Sequence, residues 1–445
     1  MEYNIKQGVE LRKKTPEESE QFRVNLLRKH LSHAATSPFY RTKFSALGIV
    51  PEDITSLNEL PSLPLTSRTD LDQNPNGFIA ATPKEIVDIS LTSGTTGMPV
   101  RIPYTKEDLD RLAFNETMAF WGASIRSHDT CLICVTLDRC FIAGLAYYSG
   151  LINLGAATIR SGAGQPARQW ELIRQLKPTV LVGVPTFLLT IAQWAINHGF
   201  NPAEAGIRAL VTIGEPIRQA NFQQTPLGIR LTETWNATIY SSYGATELET
   251  GTCECDVGQG GHIHPELSIV EIVDEQGQLV PEGQSGELVF TPLGVQGFPL
   301  VRFRTGDIAR LHSSPCSCGY HTPRLGPIEG RTAQRLKLRG TTLYPDSIFH
   351  VLQEIEQVKN SYVEVHNGFD LSDEVRVVVG CTAEVDLSEI EKLLQARLRV
   401  RPEVVAKDPA EVMKVMTEQG NRKPIRFFDY RKNKQYSNPT VSDSQ

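Results

Sequence analysis

Leu91-Thr-Ser-Gly-Thr-Thr-Gly-Met-Pro-Val100 is the stretch whose reading decides the fold. A β-branched run, Val87–Leu91, leads into it; Gly94 and Gly97 permit tight turns, and hydroxyls crowd between them. Backbone N–H groups and hydroxyl donors in such a loop suit a chain of phosphates. It is not a Walker loop, because no Gly-Lys-Ser/Thr follows. Taken alone, a Ser/Thr/Gly turn between two strands is the competing reading.

Outward from this loop, short β-branched runs recur at Thr179–Val184, Leu210–Ile213 and Thr238–Tyr240, separated by helical stretches. One of these, Arg168–Lys177, places Trp170, Ile173 and Leu176 on one face and ends at Pro178. Strands alternating with helices predict an α/β domain with a mainly parallel sheet. Residues 1–80 read as helices and loops. Leu267–Val273 and Gly286–Pro292 read as two strands joined by the Gly- and Pro-rich Asp274–Ser285, a smaller β-rich subdomain. Beyond Gly340, Asp386-x-x-Glu389 has the spacing of a capping box opening an amphipathic helix, and Val375, Val377 and Val379 alternate as a strand does. The chain is therefore expected to hold a large α/β domain over residues 1–332 and a small α+β domain over 333–445. Its polar last residues are expected to be disordered.

At 445 residues the chain exceeds one ordinary core. Acidic residues (51) outnumber basic ones (45), which argues against nucleic acid as a partner. No apolar run approaches the roughly 18 residues that span a bilayer, and MEYNIKQGVELRKKTPEE lacks the apolar core of a signal peptide. A cytoplasmic protein with no membrane partner is expected. Eight cysteines in such a chain do not suggest disulfides, and Cys131-Leu-Ile-Cys134 reads as buried strand residues.

Three further motifs follow in order: Tyr240-Ser-Ser-Tyr-Gly-Ala-Thr-Glu247; Val301-Arg-Phe-Arg-Thr-Gly-Asp307; and Gly330-Arg331 with Leu336-Lys-Leu-Arg-Gly340 and Tyr344-Pro345. With the hydroxyl-rich loop, this series resembles the adenylate-forming superfamily and, in detail, its phenylacetate–CoA ligase family. Ser37-Pro-Phe-Tyr40, Leu63-Pro-Leu-Thr66, Phe141-Ile-Ala-Gly-Leu145 and Val184-Pro185 are similar to that family's landmarks. The resemblance runs from about residue 20 to about residue 431 and implies an adenylation domain followed by a mobile lid domain. It implies an enzyme that joins a carboxylic acid to ATP as acyl-AMP, with Mg2+, and passes the acyl group to coenzyme A.

The resemblance also implies roles. Ser93, Gly94, Thr95 and Thr96 would contact the ATP phosphates. Gly214, Glu215 and Pro216 would line the adenine pocket, with Tyr243 against the ring and Gly244 and Thr246 nearby. Glu247 would help hold Mg2+, a hard cation that prefers oxygen ligands. Asp307 would accept from both ribose hydroxyls, Arg331 would approach the ribose or phosphate, and Lys423 would bridge the acid and the α-phosphate. Thr95, Thr96, Glu247 and Lys423 are the catalytic candidates. Phe141, Leu145, Tyr147, Tyr148, Val184, Phe187 and Ser241 would wall a pocket for a small aryl acid, with Gly144 and Ala146 leaving room. Thr332-Ala333-Gln334 departs from the aspartate usual after Gly330-Arg331, Lys337 replaces an apolar residue, and Pro424 adjoins Lys423. A homodimer is expected by resemblance only. The alternatives are loading of a carrier-protein phosphopantetheine thiol, another acceptor, or a catalytically inactive, zinc-stabilised homologue.

Cys255, His262, Cys316 and Cys318 bring three thiols and one imidazole, the donor set of a closed, structural zinc site. Some members of the resembled family share this pattern. Cys253, His264 and His321 are alternative ligands, and reduced cysteines in surface loops are the competing reading.

Overall fold

The computed structural model describes residues 3–92, 99–338, 341–367, 373–382, 385–418 and 424–431. The chain divides into two compact units, Met1–Ile328 and Glu329–Gln445, whereas the sequence texture puts the break after residue 332.

The first unit is built on a nine-stranded sheet. Five strands run parallel, in the order Ala157–Arg160, Thr130–Ile133, Val180–Gly183, Ala209–Ile213 and Thr238–Ala245. The central ones read as continuous apolar runs because both faces are covered. Along them, side chains alternate between two cores. Cys131, Ile133, Val182 and Tyr240 enter one with Phe120 and Tyr147. Leu132, Cys134, Leu181 and Ile239 enter the other with Trp170 and Trp235. Cys131 and Cys134 are thus buried on opposite faces of the sheet.

Strand Thr238–Ala245 extends past Tyr240, where its apolar run stops. Its polar end is held by antiparallel pairing with Thr250–Glu254, which opens the antiparallel half of the sheet. That half continues through Gly261–His262, Arg324–Leu325 and Leu311–His312. The β-rich subdomain has the expected pair Ser268–Val273 and Gly286–Pro292, extended by Phe303–Ala309.

Two of the sequence landmarks act as braces. Tyr40 Oη lies 2.6 Å from Thr66 Oγ1, and Thr66 donates to the Val301 carbonyl at 2.8 Å. The Arg302 N–H–bearing segment is held on both sides of Thr66, because Thr66 N–H donates to Arg302 O and Arg304 N–H donates to Thr66 O. The helix-rich start of the chain is thereby fixed to the strand that carries Asp307.

The second unit holds a four-stranded sheet in the order Glu403–Lys407, Asp373–Cys381, Val358–Asn367 and Phe427–Asp429. Helices Pro345–Leu352, Leu387–Leu398 and Pro409–Thr417 accompany it. Val375, Val377 and Val379 all point into its core, as their alternation predicts. Asp386 caps Leu387–Leu398 through the Ser388 N–H at 2.9 Å, one position earlier than the Asp386-x-x-Glu389 spacing implies. Among the described residues, no helix is long and apolar enough to cross a membrane.

Candidate active site and metal centre

The strand Ile86–Leu91 pairs antiparallel with Arg101–Thr105. Beyond it, Thr92 N–H donates to Val100 O at 3.0 Å, and Val100 N–H donates to Thr92 Oγ1 at 3.0 Å. These bonds clamp the stem of the hydroxyl-rich loop. Ser93, Gly94, Thr95 and Thr96 themselves lie outside the described residues.

A cation that sequence reasoning missed meets this stem. Arg68 Nη1 donates to Thr92 Oγ1 at 3.4 Å and to Glu247 Oε1 at 3.3 Å, while its Nε donates to Asp72 at 2.9 Å. The only signal in the sequence is its place two residues after the Thr66 landmark. Glu247 sits in the turn Thr246–Leu248 that ends strand Thr238–Ala245, with Thr246 buried beneath it. Gly251, across from Gly244, must be glycine, since a Cβ there would lie 2.6 Å from Tyr243 O.

Tyr243 Oη donates to Asp307 Oδ2 at 2.8 Å. The other members of the Arg302–Asp307 stretch are committed to the scaffold. Arg302 is buried and makes two 2.9 Å bonds to Glu271, and Arg304 Nε donates to Glu287 at 2.8 Å. Gly306 adopts φ +77°, a left-handed turn that glycine enters at little cost. Its N–H donates to Glu287 at 3.2 Å. Asp307 is thereby presented as the acceptor facing Tyr243, with one carboxylate edge oriented by the phenol.

Gly214 turns at φ +85°. Behind it, Glu215 accepts from Thr186 N–H and Thr186 Oγ1, both at 2.9 Å. Glu215 therefore caps helix Pro185–Asn197, where the orphan N–H groups and the helix dipole favour an anion. This contact joins the Gly214-Glu215-Pro216 segment to the Val184-Pro185 turn.

The seven residues expected to wall an acyl pocket are not all brought together. Phe141 caps helix Ile142–Leu154 and, with Tyr148, packs half-buried beside Tyr147. Leu145 and Tyr243 both pack, half-buried, against the core of the β-rich half. Ser241 and Val184 are half-buried, and the Ser241 N–H donates to Glu254 at 3.0 Å. Phe187 instead joins the core on the opposite face of the sheet. Gly144 and Ala146 do not open space in a pocket. A Cβ on Gly144 would lie 2.2 Å from Thr136 O, so its small size serves helix packing, and Ala146 is 4 % exposed within the core.

Cys255, His262, Cys316 and Cys318 form the second centre, with ligand atoms all within 4.8 Å of one another. Cys255 Sγ lies 3.7 Å from Cys316 Sγ, and Cys318 Sγ lies 3.3 Å from His262 Nε2. Tetrahedral zinc with Zn–S bonds of about 2.3 Å sets neighbouring sulfurs about 3.8 Å apart, so the donor set fits that ion. The turn is built for it: Gly319 adopts φ +90°, its N–H donates to Cys316 O, and Cys316 N–H donates to Tyr320 O, both at 3.0 Å. His262 Nδ1 lies 3.0 Å from Thr322 Oγ1, an outer contact of the kind that orients a metal-binding imidazole. Burial holds His262 down at about 4, the neutral form a metal ligand needs. The alternative ligands go elsewhere. Cys253 enters the sheet core, His264 meets Arg12, and His321 N–H donates to Arg12 O at 2.8 Å.

In the second unit, Arg331 follows Gly330 and is exposed. A Cβ on Gly330 would lie 2.2 Å from the Tyr344 ring, which explains why those two motif positions need each other. Thr332–Gln334 forms a single 3₁₀ turn. Lys423 lies outside the described residues.

The chain matches the model of the AMP-binding enzyme family over residues 41–295. It is 33% identical over 331 residues to a phenylacetate-coenzyme A ligase of Thermus thermophilus, covering 73% of each chain. It is 31% identical to the phenylacetate-coenzyme A ligase of Pseudomonas putida, covering 78% of each. Among solved structures, a 2-hydroxyisobutyryl-CoA ligase in complex with R3-HIB-AMP superposes with a TM-score of 0.84 at 22% identity, covering 95% of this chain and 92% of that one. This last likeness speaks to the fold.

Proposed function

The chain belongs to the AMP-binding enzyme family, and from that premise we propose that it is an AMP-forming acid–thiol ligase. It activates a small aryl carboxylic acid as acyl-AMP and transfers the acyl group to coenzyme A. The observation that carries this reading is the meeting of Thr92, Arg68 and Glu247 at the stem of the hydroxyl-rich loop, on the strand end where Tyr243 holds Asp307. The relatives' activity as phenylacetate-coenzyme A ligases supports the acid and the thiol.

In the first step the acid's carboxylate attacks the α-phosphorus of ATP in line and pyrophosphate leaves. In the second, a thiolate attacks the acyl carbonyl and AMP leaves. The protein contributes positioning and charge neutralisation. Ser93, Gly94, Thr95 and Thr96 hold the phosphates. Tyr243 and the Gly214-Glu215-Pro216 segment hold the adenine, with Gly244 and Thr246 beside them. Asp307 takes the ribose hydroxyls, its orientation set by the Tyr243 phenol, and Arg331 approaches the ribose or phosphate. Glu247 would hold Mg2+, which when bound spreads the charge of the phosphates. Arg68 adds a positive charge at the same place. Lys423 brings a cation between the two anionic oxygens that must approach.

Phe141, Leu145, Tyr147, Tyr148, Val184 and Ser241 supply the aryl pocket. Cys255, His262, Cys316 and Cys318 would hold zinc, which serves the fold rather than the reaction.

The acceptor is tested by following AMP and thioester formation with and without free coenzyme A. Coenzyme A-dependent thioester is the expected result. Acyl-AMP that accumulates and is untouched by coenzyme A would transfer the reading to a carrier-protein thiol or another acceptor.

A further inference from the structure

Glu116 is an enclosed carboxyl that the chemistry above does not use. It lies on helix Lys106–Gly122 where that helix crosses Ile142–Leu154. The crossing is close: Thr117 Oγ1 donates to Gly150 O at 3.0 Å, and a Cβ on Gly150 would stand 2.4 Å from Glu116 Cβ. Glycine at 150 is what leaves room for the Glu116 side chain. Glu116 is half-buried at this crossing, so part of the residue keeps accessible surface. Burial pushes its pKa up to about 7.

The contacts around it are specific. Asn115 Nδ2 donates to Glu116 Oε1 at 2.9 Å. The Asn115 amide is itself fixed, because its oxygen accepts from the Thr250 hydroxyl and from Gly251 N–H. Tyr147 is close enough to feel the Glu116 charge. Its phenol, however, lies 3.4 Å from Ser242 Oγ, whose own hydrogen goes to Thr212 O at 2.8 Å, so the phenol's proton is directed to Ser242. Among the described residues no basic side chain pairs with Glu116, and one carboxyl oxygen is left without a donor. A half-buried carboxyl oxygen with no protein donor is open to a donor brought by a ligand.

Tyr147, already assigned to the wall of the acyl pocket, stands on helix Ile142–Leu154 across from Glu116, and Phe141, assigned to the same wall, immediately precedes that helix. We infer that Glu116 is the polar end of that pocket and selects acids bearing a hydrogen-bond donor, an amino or hydroxyl group, remote from the reacting carboxylate. This rests on the acid-activating reading above and narrows its substrate class. The donor satisfies the free carboxyl oxygen, while Phe141 and Tyr147 enclose the apolar body of the acid.

The test compares kcat/KM for acid-dependent pyrophosphate release with matched pairs of aryl acids: an amino- or hydroxy-substituted acid and its unsubstituted parent. Wild type, Glu116→Gln and Glu116→Leu are measured side by side. A hydrogen bond to a charged group corresponds to a preference of about tenfold or more. Wild type is expected to favour the substituted acid by that factor. Glu116→Gln lowers the ratio to a few-fold, and Glu116→Leu abolishes it. If the leucine variant does not fold, the glutamine ratio decides. A wild type that turns over parent and substituted acids equally, or ratios unchanged in the variants, overturns the selectivity while leaving the ligase reading intact. A wild type inert towards every acid overturns both.

Discussion

At the nucleotide corner the three acidic side chains assigned to the nucleotide and its metal already have protein partners. Asp307 accepts from Tyr243 at 2.8 Å, Glu247 from Arg68 at 3.3 Å, and Glu215 from Thr186 at 2.9 Å. At the Cys/His cluster the four ligand atoms instead face one another within 4.8 Å. The difference follows from use. A nucleotide site that binds and releases a highly charged ligand each turnover must be tolerable when empty, so these three charges are pre-paired. A site for a permanent ion need not be, because the ion becomes part of the folded state. Mutations at the first site should therefore change chemistry, and mutations at the second should change stability.

The largest effect is expected from Glu247→Gln. It keeps the shape and removes the charge that would hold Mg2+, so adenylation should fall about 100-fold or more while the melting temperature moves little. A large drop in melting temperature with near-normal rates would erase the contrast between the two sites. Next comes Cys316→Ser. Purified wild type should hold about one equivalent of zinc; the variant should lose it and melt about 5 °C lower or more. Chelation should reproduce the destabilisation before activity declines. Protein that contains no zinc and melts identically in chelator would refute the metal centre.

Tyr243→Phe sharpens the pre-pairing argument. Removing the phenol deletes its hydrogen bond to Asp307 while keeping the aromatic face, so KM for ATP should rise about three- to tenfold with a smaller change in kcat. An unchanged KM would mean that the Tyr243–Asp307 bond plays no part in nucleotide binding. The last prediction concerns pH and Glu116. Its folded-state value near 7 lies above the ordinary 4.5, so between those values the folded protein keeps a proton that the unfolded chain has lost. Stability from this group is complete at low pH, falls as pH rises through that window, and is level above it. Glu116→Gln should flatten the profile, with a gain of about 3 kcal/mol at neutral pH. Parallel profiles for the two proteins would show that the Glu116 carboxyl is not held in a raised state.

The parallel half of the sheet was legible because strands buried on both faces, such as Val180–Gly183, are written as unbroken apolar runs. The antiparallel half was not. Thr250–Glu254 is hydroxyl-rich, and Gly261–His262 and Arg324–Leu325 are two-residue strands that exist only through distant pairing. The meeting of Cys255, His262, Cys316 and Cys318 could be anticipated because thiols and imidazoles are rare and chemically marked. Arg68 could not, since its meaning lies in Glu247, 179 residues away. Phe187 lies in the first turn of helix Pro185–Asn197, and its packing against the core on the far face of the sheet is set by how that helix docks, which the strand-end motif does not encode.

Carboxylate-dependent exchange of labelled pyrophosphate into ATP, without coenzyme A, measures the adenylation step most directly. The prediction is rapid exchange with aryl acids, strongest for those bearing an amino or hydroxyl group, and its loss in Lys423→Ala while ATP still binds. Absence of exchange with every acid in a broad panel, from protein that binds ATP and Mg2+, would contradict acyl-adenylate formation as the function of this chain.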